Sequence, residues 1–426
     1  MYQQRIDELN HSQQVTRDMI QDVCLEFSNH PNLSVFLNHT PRLGKTRSTL
    51  NMLYGEKVLV ISNSTLIRDN WKKFNVTKSI CWHVMKDELD EYETIVIDEL
   101  DNFDSINNLH IFKNFNPKRW IFLTGTADKT ALDFAKGITK YFTWTISTQQ
   151  AIDWGILPKP KIYAIGIDLN NSIRNCIYEK GKDKNKYNKT VPFNEYNPWE
   201  RKFNYKVMCT EKEWISLVNK DQDYWIEYLK EMTELKILNS KKRNSEEELR
   251  FNELSVKKFP INELIARQKL NVIGNMRKKF FAEQKMSYLI KFINREKLAD
   301  KRLLIFLNSK EQCDSLDYYG VKATYSAKGK KGEKLIEEFQ EGKIKKLSCI
   351  NQLNRGVDLT NIDLGIILQM ANSQNENKQK ASRMFLDDLP VIVLFYFKNC
   401  KDEDYLEKFC QQFKEEYITK LDYNQF

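Results

Sequence analysis

Apolar and polar positions fall in blocks along this chain. VFLNHT (35–40), KVLVISNS (57–64), TIVIDEL (94–100) and RWIFLTGTA (119–127) are short apolar runs, each closing on polar residues. Amphipathic stretches lie between them, RSTLNML (47–53) among them. Strands that stay apolar throughout, separated by helices, predict a parallel sheet covered on both faces. The polar residues sit at the C-terminal strand ends, the edge where open α/β sheets bind ligands. QQAIDWGILPKPKIY (149–163) then breaks any helix with Gly155, Pro158 and Pro160 and marks a boundary. KIYAIGIDL (161–169) begins a second unit as a strand. From about 283 the α/β pattern resumes. AEQKMSYLIKFINRE (282–296) and EKLIEEFQEG (333–342) read as helices, the latter stopped by Gly342. RLLIFLNS, KKLSCI, LGIILQM and PVIVLFYF read as strands. The expected organisation is α/β, with parallel-sheet domains at 1–153 and 154–426 and a largely helical insertion at about 171–280 in the second.

That insertion breaks the pattern. Lys182, Lys184, Lys186, Lys189, Arg201, Lys202 and Lys206 alternate with Tyr187, Phe193, Tyr196, Trp199, Phe203 and Tyr205. Aromatic rings among positive charges suit single-stranded nucleic acid; the same rings also suit a small core. Helix-like segments at 214–238 and 245–254 follow, and Arg277, Lys278 and Lys279 stand just before the helix at 282.

The chain has 426 residues, enough for two or three domains, and is 41% hydrophobic. No apolar run is long enough to span a membrane. The polar opening, MYQQRIDELN, is unlike a signal peptide. The eight cysteines are scattered singly, with no C-x-x-C pair and no Cys/His cluster. That spacing argues against structural zinc and for reduced thiols in a cytosol. The net charge of +9 is a mild pull toward polyanions such as nucleic acid.

The chemistry begins at HTPRLGKT (39–46). A phosphate-binding loop reads G-x-x-x-x-G-K-[ST], with glycine for close backbone approach, lysine for the β/γ-phosphates and a hydroxyl for Mg²⁺. Here Gly44, Lys45 and Thr46 are intact, His39 stands at the first glycine, and the segment alone also reads as a proline-arginine turn. VIDELD (96–101) supplies Asp98 and Glu99 directly after an apolar strand. One carboxylate of such a pair holds Mg²⁺ and its neighbour orients the attacking water. Downstream of a strand–GKT–helix unit, the pair favours nucleotide binding over a solvated turn.

In order along the chain, these segments resemble the motif series of superfamily 2 DNA/RNA helicases and translocases, with DEAD/DEAH-like, phage-type, Swi/Snf-like and type III restriction-like features. HTPRLGKT resembles motif I, and VLVISNSTLIRDNWKKF (58–74) motif Ia, where Leu66, Asn70 and Trp71 look Swi/Snf-like. VIDELD resembles motif II, LTGTA (123–127) motif III, LLIFLNS (303–309) motif IV, LNRGVDL (353–359) motif V and QKASRMF (379–385) motif VI. NVIGNMRKKFFAEQK (271–285) is similar to a stretch in phage-type relatives and hints at nucleic-acid contact. The resemblance implies two tandem RecA-like domains, parallel sheets with helices on both faces, and ATP in the cleft between them.

By matching position it assigns Gly44, Lys45 and Thr46 to phosphate, and Thr46 and Asp98 to Mg²⁺; Arg42, a further nucleotide-binding candidate, stands where many relatives carry a glycine. Glu99 positions the water, while Thr124 and Thr126 couple nucleotide state to the nucleic-acid path. Arg355, Gly356 and Asp358 read nucleotide from the second domain, and Gln379 and Arg383 reach the γ-phosphate. An arginine brought across a domain interface accelerates such hydrolysis by roughly 10³–10⁵. Ser64 and Arg68, with Lys72, and the loop bearing Ser326, Lys328, Lys330 and Lys331 face a phosphate backbone or are solvated surface. Two departures stand out in motif VI: Ser382 replaces its glycine, and Leu386 occupies the place of its second arginine.

The sequence-level expectation is an ATP- and Mg²⁺-dependent DNA helicase or translocase of replication, recombination or repair. It would be monomeric, would bind neither membrane nor zinc, and would act in a cytoplasm, that of a bacterial host if phage-encoded. An RNA helicase is the alternative within that chemistry. A degenerate NTPase serving as a nucleic-acid-binding scaffold, motivated by Leu386, is the alternative outside it.

Overall fold

The computed structural model describes residues 2–12, 14–53, 55–62, 65–74, 76–81, 92–100, 112, 115–125, 127, 129–169, 174–177, 189–192, 205–257, 259, 261–324, 330–350, 359–371, 374–385 and 388–425. Contacts divide the chain into two compact units. One comprises Met1–Ile165, Tyr288–Phe395 and Asp404–Phe426; the other comprises Gly166–Ser287 and Tyr396–Glu403.

The helices α1 (Tyr2–His11) and α2 (Arg17–Glu26) precede the first sheet. Its strands are β1 (Val35–His39), β2 (Val58–Ser62), β3 (Lys78–Cys81), β4 (Thr94–Asp98), β5 (Arg119–Thr124) and β6 (Phe142–Ile146). Their order is β3-β2-β4-β5-β1-β6, and every neighbouring pair is parallel. Every residue of β2, β4 and β5 is buried. Helices cover both faces of such a sheet, so the strands carry no polar alternation. Phe36, Leu59, Ile61, Ile95, Ile97, Phe122 and Phe134 belong to one core cluster of this sheet. The helices α3 (Lys45–Met52), α4 (Thr65–Lys72), α5 (Lys129–Ile138) and α6 (Thr148–Asp153) belong to this half. Since β1 leads through α3 to β2, three places away, and has β5 and β6 as neighbours, the strand order reverses around β1. Open α/β sheets bind ligands outside the strand ends at such a reversal.

A second sheet begins with β7 (Lys161–Ile167) and has the order β12-β13-β11-β14-β15-β7-β16. Its other strands are β11 (Leu303–Phe306), β12 (Lys322–Thr324), β13 (Lys346–Cys349), β14 (Leu364–Ile367), β15 (Val391–Phe397) and β16 (Ile418–Asp422). From β12 to β15 the pairing is parallel. Among the described residues, α10 (Lys310–Ser315), α11 (Lys330–Gln340), α12 (Gln374–Ser382) and α13 (Lys401–Cys410) connect these strands. The predicted halt of α11 is seen in Gly342, whose φ of 77° suits glycine.

Among the described residues, the unit running from Gly166 to Ser287 contains three helices and a small sheet. Its helices are α7 (Glu211–Asn239), α8 (Ser245–Val256) and α9 (Glu263–Ile293), α9 ending beyond it. Three strands, β8 (Arg174–Ile177), β9 (Lys189–Pro192) and β10 (Tyr205–Cys209), form a sheet of order β8-β10-β9. Thr210 and Glu213 close a capping box on α7; Asn244 and Glu247 close one on α8. The Trp214 and Phe280 rings stack at 4.0 Å and join α7 to α9. Lys285 and Asp402, both fully buried, pair at 2.5 Å. Burial pulls the Lys285 ammonium below its usual range, opposed by the charge and hydrogen bond of Asp402.

Arg277 corrects the sequence reading. It lies inside α9, which begins at Glu263 rather than after Lys279. It is 3% exposed and donates to Asn219 Oδ1 at 2.9 Å and Gln222 Oε1 at 2.6 Å on α7. A buried guanidinium spent on two half-buried amides ties helices together and does not reach a nucleic-acid backbone. The aromatic side chains of 187–205 lie outside those described. Among the described residues no helix is long and apolar enough to cross a membrane.

Candidate active site

The loop of residues 40–44 connects β1 to α3. Thr40 anchors its start: its N–H donates to the Ile146 carbonyl at 2.9 Å, and its hydroxyl meets that of Thr148 at 2.7 Å. Arg42 and Gly44 both adopt positive φ, 76° and 82°. Gly44 caps α3 in the left-handed conformation, so the chain turns sharply and the first N–H groups of α3 end at the loop. Those N–H groups and the helix dipole favour an anion. Lys45 opens α3 and folds its ammonium back into the loop, donating to the carbonyl oxygens of His39 at 2.7 Å and Thr40 at 3.5 Å. Thr46 follows, half-buried.

His39 fills the first glycine's place without blocking the loop. Its fully buried imidazole packs edge-on against Trp144, with ring centroids 4.7 Å apart. Burial, helped by the Lys45 charge, pushes its pKa down to about 3, so the ring is neutral. Both ring nitrogens are buried without a hydrogen-bond partner.

Asp98 ends β4, in register with Ser62 of β2 and Leu123 of β5. It is 8% exposed, and its Oδ2 accepts the indole N–H of Trp71 at 2.7 Å. Glu99 is half-buried with φ at 56°. A left-handed non-glycine residue stores about 1–3 kcal/mol, and such strain clusters at functional sites.

Thr124 ends β5 opposite Asn38 of β1. Asn38 Oδ1 accepts the N–H of Ala127 at 3.2 Å and so fixes the turn after β5. Gly125 in that turn lies against the loop. A Cβ there would stand 2.9 Å from Pro41 Cδ and 3.3 Å from the His39 carbonyl oxygen. The structure thus brings the segments read as motifs I, II and III to one sheet edge.

The second sheet contributes α12 and the residues after it. Asn377 accepts from the Ala371 N–H and donates to its carbonyl, both at 2.8 Å, which fixes α12 to the chain beyond β14. Gln379 is half-buried and Arg383 is 7% exposed. The carbonyl of Ser382 accepts a hydrogen bond from Arg42 Nε at 3.4 Å, so the loop of residues 40–44 touches the segment read as motif VI. Arg68, on α4, bonds its own neighbour Asp69 at 2.8 Å. Ser64, Thr126, Lys328, Arg355, Gly356, Asp358 and Leu386, and the side chains of Lys330 and Lys331, lie outside the described residues.

Sequence reasoning missed Asn38, Trp144 and Asn377 as supports. Asn38 left a signal, a lone amide within an apolar strand. Trp71 was read only as a mark of motif Ia; its bond to Asp98 had no local signature.

The donor set suits Mg²⁺, since the Thr46 hydroxyl and the Asp98 carboxylate are hard oxygen ligands. The arrangement has the parts of a phosphoryl-transfer site: an anion loop with its lysine, a strand-end carboxylate pair and an arginine segment in contact with the loop.

Residues 284–385 match the family described as the helicase conserved C-terminal domain. No curated protein matches the chain. Among solved structures, a fragment described as an HsdR subunit of a type I restriction enzyme from Vibrio vulnificus YJ016 has a TM-score of 0.53 at 12% identity, covering 95% of this chain and 69% of that one. Saccharomyces cerevisiae Dbp5, bound to RNA and ADP BeF3, has a TM-score of 0.49 at 11% identity, covering 98% and 96%. The Hef helicase domain of Pyrococcus furiosus has a TM-score of 0.42 at 12% identity, covering 92% and 97%. The fold is the two-sheet α/β arrangement expected from sequence, tandem RecA-like domains.

Proposed function

We propose that this chain is a superfamily 2 helicase or translocase that couples ATP hydrolysis to movement on, or remodelling of, DNA. One observation carries the reading: Lys45 and Thr46 after β1, and Asp98 and Glu99 at the end of β4, share one edge of a parallel sheet. The helicase C-terminal match on the later half supports it.

In this reading Gly44 and the first turn of α3 take the phosphate oxygens, and Lys45 leaves its carbonyl partners to balance their charge. Thr46 and Asp98 hold Mg²⁺, which when bound neutralises charge on the β- and γ-phosphates. Glu99 orients the attacking water and accepts its proton. Arg383 and Gln379 approach from the second domain, with Arg355, Gly356 and Asp358 beside the nucleotide. Thr124 and Thr126, on the turn whose Gly125 abuts Pro41, pass the state of the loop to the nucleic-acid path. Arg68, Lys328, Lys330, Lys331 and Ser64 track the backbone, giving binding that weakens steeply with salt. The Swi/Snf-like segment around Trp71 favours DNA over RNA, and a phage-type role in replication, recombination or repair in a bacterial cytoplasm fits it.

Steady-state ATP hydrolysis tests this, measured alone and with single-stranded DNA, duplex DNA or RNA at two salt concentrations. Salt-sensitive stimulation by DNA, lost in Lys45→Ala and Glu99→Gln, is the expected result. Stimulation by RNA alone replaces the substrate. Hydrolysis no greater than that of the two variants on any polymer overturns the motor and moves the scaffold, with Leu386 its cause, to the front.

A further inference from the structure

α4 has two sides. Arg68 and Lys72 on it are 28% and 56% exposed, whereas Trp71 is 1% exposed and turned inward. The Trp71 indole N–H, which can only donate, lies 2.7 Å from Asp98 Oδ2. The residues bonded are 27 apart in sequence and belong to different elements, since Asp98 ends β4. Ser62, three residues before α4 begins, is in register with Asp98 across the β2–β4 pair. The end of β2, which leads into α4, and the end of β4 are therefore at the same height on the sheet edge, and the indole joins α4 to that edge. One carboxylate oxygen is committed to a side chain that moves only if α4 moves. A partner that orients a ligating carboxylate is commonly worth 10–100-fold in metal affinity.

We infer that Trp71 is the positioning residue that fixes the Asp98 carboxylate and through which helix α4, with its two cations, acts on that carboxylate. The inference rests on the proposed role of Asp98. It adds that a polyanion on Arg68 and Lys72 alters the metal site by shifting the indole, without touching Asp98 itself.

The test uses Mn²⁺ with ADP, the bound fraction read from the electron paramagnetic resonance signal of free Mn²⁺. Parent, Trp71→Phe and Trp71→His proteins are compared, with and without single-stranded DNA, and circular dichroism melting of each records its folding. Phenylalanine lacks the N–H and histidine keeps a ring donor, while both are smaller than tryptophan. The expected result is Mn²⁺ affinity about tenfold or more weaker in Trp71→Phe, a smaller loss in Trp71→His, and a DNA-induced shift in affinity seen only where a ring donor is present. Parent-like affinity in Trp71→Phe overturns the inference. Equal loss in both variants also overturns it, because packing rather than the N–H then matters. A DNA-induced shift that persists in Trp71→Phe overturns the relay through the indole. Failure of the underlying reading looks different: the parent itself then shows neither Mn²⁺ binding with ADP nor Lys45-dependent hydrolysis.

Discussion

Arg42 Nε lies 3.4 Å from the carbonyl oxygen of Ser382, so a residue of the loop between β1 and α3 touches the helix whose next residue is Arg383. Arg42 reaches it from a backbone at φ 76°, a conformation glycine holds without strain. Replacing Arg42 by Gly relieves about 1–3 kcal/mol of strain and adds roughly 0.5–1 kcal/mol of unfolded-state entropy, so the two partly cancel. The expected outcome is a melting temperature close to the parent's with ATP hydrolysis reduced about 10²-fold or more, because a guanidinium that meets motif VI is lost. With Leu386 where a second motif VI arginine is expected, Arg42 is the guanidinium that the loop itself supplies beside Ser382. Unchanged hydrolysis in Arg42→Gly reduces the residue to a strut.

The buried His39 makes stability depend on pH. Its pKa is about 3 in the folded chain and near 6.5 when unfolded. Between those values the unfolded chain binds the extra proton, so stability rises with pH across the window. The contribution is complete above about pH 6.5 and is lost as pH falls toward 3. At pH 5 the loss is about 2 kcal/mol at 1.4 kcal/mol per unit. Urea unfolding at pH 7 and pH 5 should show this in the parent and not in His39→Phe, whose ring still packs on Trp144. An equal pH dependence in both assigns the effect to other groups.

The inner strands of both sheets were legible because parallel strands buried on two faces must be apolar throughout, and the polar ends of β4 and β5 drew the eye to Asp98 and Thr124; β3, β6, β12 and β16, which are short or partly exposed, carry no such run and were not read. Two failures have physical causes. α9 was started about twenty residues late because the Asn and Gly of NVIGN look like breakers; Gly274 sits mid-helix with nothing within 4 Å of its missing Cβ, and the helix runs through it. Arg277 looked like a surface cation because its burial depends on two amides more than fifty residues earlier, Asn219 and Gln222. The strain at Arg42 and Glu99 was invisible for a related reason: φ is set by what surrounds a residue.

Gly125 links the turn after β5 to the loop by contact alone. A methyl group there meets Pro41 Cδ at 2.9 Å, and that atom is bonded to the backbone nitrogen and cannot swing away. Gly125→Ala should destabilise the fold by about 1–3 kcal/mol through overpacking. It should also raise KM for ATP, since the yielding partner is the loop itself. Chemical denaturation and ATP titration check the two effects separately. A loss of stability with unchanged KM means that the turn gives way and the loop does not.

Arg119 is a test of the opposite edge of the same sheet. It opens β5, is fully buried, and donates Nε to Thr94 Oγ1 and Nη1 to the Phe27 carbonyl, both at 3.1 Å. Its Nη2 serves the carbonyl of Met52, the last residue of α3, and the Glu56 carboxylate. A cation at a helix C-terminus complements the dipole, and the planar fork satisfies several acceptors at once. Arg119→Met keeps the apolar stem but leaves Glu56 and the buried carbonyls without their donor, at a cost of about 3–5 kcal/mol. Because Glu56 is 19% exposed and partly rehydrates, the lower end is expected. Arg119→Lys should recover only part of this, because one ammonium cannot reproduce the fork. Urea midpoints order the three proteins. KM for ATP should stay at the parent value wherever the variants are folded, since Lys45 begins α3 and Arg119 grips its far end. A raised KM in folded Arg119→Lys would show instead that strain at Met52 travels along the eight residues of α3 to the loop.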